Sequence, residues 1–400
     1  MANIKARNDS KVKLFVEGRI GLLSKIKKEV DKDDKIAWFH CASLGEFEQA
    51  RPVIEKFKDR YSTYKILLTF FSPSGLEVRK NYELADYVYY MPMDTRANVK
   101  KFIQLTNPQI VFFVKYEFWF NYIKELNKKG IALFLISGIF RQKHIFFKWY
   151  GLFYRQLLRR FTHIFVQNLE SYNLLRNIGI TDISVCGDTR FDRVTKIALE
   201  SVKFGEVEEF KQNKKIFIAG STWEKDEELV ITYINQCKRE LKYIIAPHEV
   251  DESNITRIIA GLKVNAIRFS EIKSANLKEC KVLVIDNIGI LSSLYKYGEI
   301  AYIGGAFGKG LHNILEAATF GLPVIFGPNY KKFNEAIKLV EGRAAFSINN
   351  YDEFFNILEE LLINTDFFNS ASSTCKYFIK SNKGASRHIL NTLAQKLPSL

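Results

Sequence analysis

Between Ile303 and Ala318 the chain reads Ile303-Gly-Gly-Ala-Phe-Gly-Lys-Gly-Leu-His-Asn-Ile-Leu-Glu316-Ala-Ala. An apolar run opens into a glycine-rich turn and then a helix, a pattern that leaves backbone N–H groups and the positive end of a helix dipole facing one point. A phosphate suits that point, and Gly304, Gly305, Gly308 and Gly310 allow the close backbone approach it needs. His312 and Asn313 fall at the predicted helix start. Glu316, three residues after Asn313, shares its face and offers a carboxylate to a ribose diol. A tight turn, a capped helix and a surface Glu would also explain a bare glycine cluster. The added His-Asn-x-x-Glu, and the strand and turn Gly321-Leu-Pro-Val-Ile-Phe-Gly-Pro328 that follow, favour a ligand site.

Two further turns have the same strand-to-helix form. In Ala219-Gly-Ser-Thr-Trp-Glu224 the Ser221 and Thr222 hydroxyls suit a phosphate or a nucleobase, and capping of the next helix is an equally good use of one of them. In Ser43-Leu-Gly-Glu46 a carboxylate sits at the mouth of the turn, where it would serve as general base on an acceptor hydroxyl or complement the helix dipole.

The elements that must position these residues alternate along the chain. Lys35–Ser43 reads as a buried strand followed by a helix from Glu46 to Arg60. The pattern repeats through strands at 64–70, 87–91, 109–114, 132–137 and 163–167, with helices between them that include a long aromatic helix over Phe146–Phe161. After Val185-Cys-Gly-Asp-Thr-Arg-Phe-Asp192 the alternation pauses, a polar helix is predicted over Lys196–Lys211, and a second series begins at Lys215. It runs through strands at 243–246, 282–285, 300–303 and 323–326. The expectation is α/β, two Rossmann-like doubly wound parallel-sheet domains facing a central cleft. The domains are placed at 1–190 and 214–400, with a linker at 191–213 and the last helix returning to the first domain.

A chain of 400 residues exceeds the roughly 250–300 at which one core stops growing. Five scattered cysteines, with no C-x-x-C pair and no Cys/His cluster, support neither a disulfide framework nor a zinc site. No stretch approaches the ~20 apolar residues of a spanning helix. Charge is uneven: residues 1–200 hold 34 Lys and Arg against 21 Asp and Glu, whereas residues 201–400 hold 25 against 23. The excess in the first half points to a polyanionic partner there, nucleic acid or an anionic lipid surface, or else to a solvated basic face. The segment Phe146–Arg160 mixes large aromatics with Lys148, Arg155, Arg159 and Arg160, a composition for a membrane interface that a helix buried between lobes would also show.

From about Lys11 to about Ala345 the sequence resembles the 3-deoxy-D-manno-octulosonic acid (Kdo) transferases of lipopolysaccharide assembly, a GT-B glycosyltransferase family. The resemblance rests on Ala42-Ser-Leu-Gly-Glu46, Ser72-Pro-Ser-Gly, Pro92-Met-Asp94, Glu117-Phe-Trp119 and Val166-Gln167. It continues in Gly187-Asp-Thr-Arg-Phe-Asp192, Gly220-Ser-Thr222, Ile303-Gly-Gly305, His312-Asn313 with Glu316, and Gly327-Pro328 followed by Phe333. It implies inverting, metal-free transfer of Kdo from CMP-Kdo to the 6′-hydroxyl of a tetraacylated disaccharide bisphosphate, the lipid A precursor. Glu46 matches the catalytic base. The donor side is expected to include Ser221, Thr222, His248, Gly304, Gly305, Lys309, His312, Asn313 and Glu316; the acceptor side, Ser43, Gly45, Ser72, Glu117, Arg141 and Arg190. No cofactor is expected. The implied partners are the anionic lipid and the cytoplasmic face of the inner membrane, met peripherally through the basic first domain.

The chain also departs from the family. Lys115-Tyr-Glu-Phe-Trp-Phe120 stands where the family has Glu-Thr-Glu-Leu-Trp-Pro, so only Glu117 and Trp119 carry over. Ala246-Pro-His248 lacks the arginine of the usual Pro-Arg-His, a contact that Lys309 or Arg190 would have to supply. The arginine of the family's Asn-x-Arg is displaced to Arg141, and Trp223 replaces the His of Ser-Thr-His. The family's hydrophobic N-terminal anchor is missing, and Met1–Ser10 reads as a trimmed start. Two other functions compete: a UDP-sugar transferase or epimerase on the same architecture, and a non-catalytic basic module. Against the second, no nucleic-acid-binding motif is recognisable.

Overall fold

The computed structural model describes residues 10–274, 276–308 and 310–398. Lys309 and nearly all of the Met1–Ser10 opening lie outside them. The chain divides into two compact units, one up to Arg193 together with Asn382 onward, the other Val194–Ser381.

The first unit is built on a seven-stranded sheet, β1 (Ile36–Cys41), β2 (Lys65–Phe70), β3 (Tyr87–Tyr90), β4 (Ile110–Val114), β5 (Ala132–Gly138), β6 (His163–Val166) and β7 (Ile183–Val185). The strand order is β3-β2-β1-β4-β5-β6-β7, and every pair is parallel. Helices on both faces bury β1 and β4 completely, which is why β4 reads as an unbroken apolar run and β1 as one broken only by His40. One core gathers Trp38, Leu67, Phe113 and Leu135; the other gathers Phe39, Phe112, Phe134 and Phe165. In the second core Phe39 stacks on Phe112 at 4.4 Å, Phe112 on Phe134 at 5.6 Å and Phe134 on Phe165 at 6.3 Å, an aromatic ladder across four adjacent strands.

The last helix, Ala385–Lys396, adds Ile389, Leu390 and Leu393 to that core. Its start is held by Asp192, whose carboxylate accepts from the Gly384 N–H at 2.6 Å and from the Ser386 N–H and hydroxyl at 2.7 Å each.

The second unit repeats the plan with β8 (Lys215–Thr222), β9 (Leu241–Pro247), β10 (Ala266–Arg268), β11 (Val282–Val284), β12 (Ile300–Ile303), β13 (Val324–Phe326) and β14 (Ala345–Ser347). All strands are parallel in the order β10-β11-β9-β8-β12-β13-β14.

Two predicted helices are corrected. Phe146–Phe161 is a short 3₁₀ turn, Ile145–Phe147, then a bend and a helix over Leu152–Leu158 only. Arg155 folds back to donate from Nε to the Phe146 carbonyl at 2.7 Å and from Nη2 to the Lys148 carbonyl at 2.8 Å, which secures the bend. Gly151 packs so close to the Ile145 carbonyl that a Cβ there would collide with it. The aromatic set is divided accordingly: Phe146 and Phe161 are buried, while Trp149, Tyr150 and Phe153 are 90%, 57% and 52% exposed. The polar helix expected over Lys196–Lys211 is two helices, Arg190–Leu199 and Gly205–Lys211. Strands β7, β10 and β14, three residues each, escape the sequence; β11 and β13 are as short but fully buried, and their unbroken apolar runs reveal them, whereas the other three are only partly buried.

His163, at the start of β6, reports on this packing. Burial, and then the Lys396 charge, push its pKa down to about 4 despite Asp182 nearby. The folded protein therefore excludes a proton that the unfolded chain binds near pH 6.5, so stability is lost as pH falls from about 6.5 towards 4. The expected outcome is a denaturant midpoint that declines over that window, with a shallower decline in His163→Gln. An identical pH slope in the variant would remove His163 as the cause.

Candidate functional site

In each sheet the strand order reverses direction at one place, between β1 and β4 and between β8 and β12. The crossover helices there leave for opposite faces, and a crevice opens outside the carboxyl ends of the two strands. Of the predicted residues that the structure describes, those of the first unit follow β1, β2, β4, β5 and β7, and those of the second lie at or after the ends of β8, β9 and β12.

In the first unit Ser43, Gly45 and Glu46 follow β1 directly. Ser43 occupies the cap position of the Leu44–Arg60 helix but makes no capping bond from its side chain; its hydroxyl donates to the Glu46 carboxylate instead. Glu46 is half-buried. Ser72, after β2, is tied to the same turn by its N–H, which donates to the Ala42 carbonyl at 2.8 Å, and its hydroxyl caps the Pro73–Arg79 helix. From β4 come Tyr116 and Glu117, and from β5 comes the exposed Arg141. Burial raises the pKa of the Tyr116 phenol, Arg141 lowers it through charge and a hydrogen bond, and the Glu46 charge raises it, so these three groups share one locality.

Glu117 lies deeper, 8% exposed, at the end of a buried chain of hydrogen bonds. Its carboxylate meets His40 Nε2 at 3.1 Å and accepts from the Trp119 indole N–H. His40 Nδ1 meets the Thr69 hydroxyl at 2.9 Å, and that hydroxyl accepts from Trp38 Nε1 at 2.7 Å. An ionised Glu117 can only accept, so Nε2 carries the proton it donates there, and in the neutral ring Nδ1 accepts from the Thr69 hydroxyl. The network fixes a carboxylate at the β4 end with few degrees of freedom. Arg190 differs from expectation: its Nε and Nη2 bind Asp188 of its own turn at 2.9 and 2.7 Å, so its charge is already engaged.

In the second unit the glycine loop does not present its N–H groups as the sequence suggested. Gly304 donates to Gly220, Gly305 to Asp226, Gly308 and Gly310 to Gly305, and His312 to Gly304. The helix that follows is only Leu315–Thr319, too short to act as the strong dipole expected. The loop is instead a rigid frame. Gly305 has φ +93°, and a Cβ on Gly304 would lie 2.6 Å from Thr222 Cα and 2.7 Å from an Asp226 oxygen.

Asp226, 1% exposed, holds this frame together. Its two oxygens accept from the Gly305 and Trp223 N–H groups at 2.9 Å each and from the Tyr302 hydroxyl at 2.6 Å. Thr222 spends its hydroxyl on Glu227 at 2.9 Å, behind the mouth, whereas Ser221 stands half-buried at φ +53°. Asn313 donates to Glu316 at 2.9 Å and accepts from the Leu315 N–H at 3.2 Å, so the pair shares one edge as predicted.

Three rings close the mouth. Trp223 stacks on His248 at 4.8 Å, His248 on His312 at 4.3 Å, and Trp223 Nε1 donates to His312 Nε2 at 3.0 Å. Burial, and then His248, hold the His312 pKa below the ordinary imidazole range, with Asp226 opposing, so the ring is neutral at neutral pH.

Sequence reasoning did not assign Asp226, His40 or Thr69. Asp226 was visible only as one of several acids at a helix start, and His40 only as a polar residue inside an apolar run. Backbone strain is a signal that only the fold supplies: Lys115, Ser137 and Ser221 have φ of +71°, +56° and +53°, all at carboxyl ends of strands next to the crevices. Such residues cost about 1–3 kcal/mol each and cluster at functional sites.

Residues 16–193 match the family model for "3-Deoxy-D-manno-octulosonic-acid transferase (kdotransferase)". The 3-deoxy-D-manno-octulosonic acid transferase of Aquifex aeolicus (strain VF5) is 28% identical over 331 residues, 81% of this chain and 85% of that protein. The protein of the same name from Rickettsia conorii (strain Malish 7) is 26% identical over 94% of this chain and 83% of its own length. Among solved structures, UDP-GlcNAc 2-epimerase from Neisseria meningitidis bound to UDP-GlcNAc is similar with a TM-score of 0.62 at 16% identity, covering 90% of this chain and 100% of that one. That likeness is one of fold, and it agrees with two Rossmann-like units of the GT-B kind.

Removing the Asp226 charge tests the frame. In Asp226→Asn one oxygen becomes a donor facing donors, which should cost about 1–3 kcal/mol. We expect a lower urea midpoint and faster amide exchange at Gly305; unchanged exchange would show that the loop is held by other contacts.

Proposed function

We propose that the chain is a glycosyltransferase of the Kdo transferase family, whose model its residues 16–193 match, and that it moves Kdo from CMP-Kdo to a hydroxyl of the tetraacylated disaccharide bisphosphate precursor of lipid A, with inversion at the anomeric carbon. The observation that carries the reading is Glu46: a half-buried carboxylate at the β1/β4 crevice, oriented by the Ser43 hydroxyl, with a charge that reaches the Tyr116 phenol that Arg141 also bonds. Glu46 takes the proton of the attacking hydroxyl. The anomeric carbon gains the bond to that oxygen as it loses the bond to the CMP phosphate, which departs with the electron pair. Glu117, locked by His40 and Trp119, orients the acceptor.

In the second unit Ser221, His248, His312 and the Asn313–Glu316 edge surround the CMP moiety, with Glu316 on the ribose and the glycine frame setting the floor. Thr222 acts from behind, through Glu227. Lys309, in the sequence of the glycine loop, is the candidate for the charge that the family arginine would bring. The reading assigns no metal or organic cofactor to the reaction.

The bisphosphorylated acceptor and the inner face of the membrane are met by the first unit. Support comes from the excess of basic residues in the first half of the chain and from the exposed Trp149, Tyr150 and Phe153 beside Lys148 and Arg159. Among the described residues no helix is long and apolar enough to cross a membrane.

Incubation with CMP-Kdo and the lipid precursor, read by mass spectrometry, should show a mass gain of whole Kdo units. Glu46→Ala should lower turnover by ~10²–10⁴; wild-type turnover in that variant would remove Glu46 as base. Protection against thermal unfolding by a UDP-sugar and not by CMP would replace the donor assignment. Each aromatic that enters a lipid surface contributes about 1.5–3 kcal/mol. Trp149→Glu with Phe153→Glu should therefore abolish most binding to anionic vesicles and leave CMP protection intact, and equal vesicle binding would exclude this surface.

A further inference from the structure

Trp223 stands where the family pattern has a His, and its indole makes a contact that a His would not make in the same way. An indole N–H only donates, so the nitrogen it meets must carry the lone pair. That nitrogen is His312 Nε2, 3.0 Å away. A neutral imidazole with its lone pair on Nε2 has its proton on Nδ1.

The surroundings hold the ring in this orientation. His248 covers one face of His312 at 4.3 Å and an interplanar angle of 24°. The Gly305 backbone walls the Nε2 edge: a Cβ on that glycine would lie 2.8 Å from His312 Cδ2 and 3.0 Å from Nε2. Among the described residues Nδ1 has no hydrogen-bond partner, and the His312 side chain is half-buried. The depressed basicity of the ring agrees with a neutral His312.

We propose that Trp223 is a positioning residue that locks His312 in its Nδ1–H tautomer, so that His312 meets the donor substrate as a hydrogen-bond donor to an anionic oxygen and not as a base. The proposal rests on reading the second unit as the nucleotide-sugar site. The proton stays on Nδ1 throughout; charge that develops on the departing phosphate is met by a dipole already aimed, and the only proton taken up from the acceptor goes to Glu46. A His at position 223 would both donate and accept and would leave both tautomers of His312 open, whereas tryptophan leaves one.

Nitrogen-15 NMR of the imidazoles in the full chain without substrate, at about pH 8 where a free imidazole is neutral, reads the tautomer directly. The His312 signals are assigned by their loss in His312→Gln. The wild-type protein should show a protonated Nδ1 and an unprotonated Nε2, and Trp223→Phe should move the proton towards Nε2. A protonated Nε2 in the wild type, or an unchanged tautomer in Trp223→Phe, overturns the proposal. If Trp223→Phe does not fold, β-(3-benzothienyl)alanine at position 223 keeps the ring shape and replaces the N–H with sulfur, and the same two outcomes apply. With CMP-Kdo and the lipid precursor, the variant should lose about 10²-fold in kcat with little change in KM for CMP-Kdo; an undiminished kcat alongside a shifted tautomer rejects the catalytic half. Absence of Kdo transfer in the wild type would reject the donor assignment and leave the tautomer measurement standing.

Discussion

When all strands of a sheet run in one direction, every carboxyl end opens on the same side, and the turns that follow the strands are the backbone best placed to reach a ligand. Both sheets obey this constraint, and each adds one reversal of strand order. The location of the chemistry follows from it. Glu46 and Glu117 are 71 positions apart in the chain yet flank one crevice because β1 and β4 are neighbours. Ser221 and the glycine loop meet because β8 pairs with β12. Parallel pairing also demands helices on both faces, and the aromatic ladder from Phe39 to Phe165 is what fills one of those faces.

Behind each crevice lies a buried polar network that sets the geometry of groups it does not expose. In the first unit the line Trp38, Thr69, His40 and Glu117 runs inward from a carboxylate. In the second, Asp226 gathers a loop N–H, a helix-start N–H and a tyrosine hydroxyl. A buried carboxylate is costly unless its oxygens are satisfied, and each of these is met by several donors. The stability spent on such networks is returned as precision at the mouth, where left-handed Lys115, Ser137 and Ser221 hold side chains in positions that relaxed strands would not offer.

The alternation of elements, the two parallel sheets and the position of the glycine loop were legible from the sequence because each has a local signature. The use made of the loop was not. Its N–H groups looked available, but Gly305 donates to a carboxylate 79 residues earlier, a pairing that no local pattern announces. Phe146–Phe161 has the composition of a single helix, and only the fold-back of Arg155 onto two carbonyls shows why it bends. Trp223 was visible as a departure from the family pattern; that it meets His312 depends on the β8–β12 pairing and so on tertiary structure.

The return of the Ala385–Lys396 helix to the first unit has a consequence for synthesis. A ribosome delivers the amino-terminal end first, so a nascent chain has the whole first sheet long before Ile389, Leu390 and Leu393 exist to finish its aromatic core. At typical elongation rates of about 5–20 residues per second, that face waits on the order of 10–40 s while the second unit is made. The second unit, encoded in one uninterrupted stretch, completes its own contacts in the meantime. The part of the molecule translated first is thus the part finished last, and Asp192, already in place near the end of the earlier segment, is the group that the late helix must find.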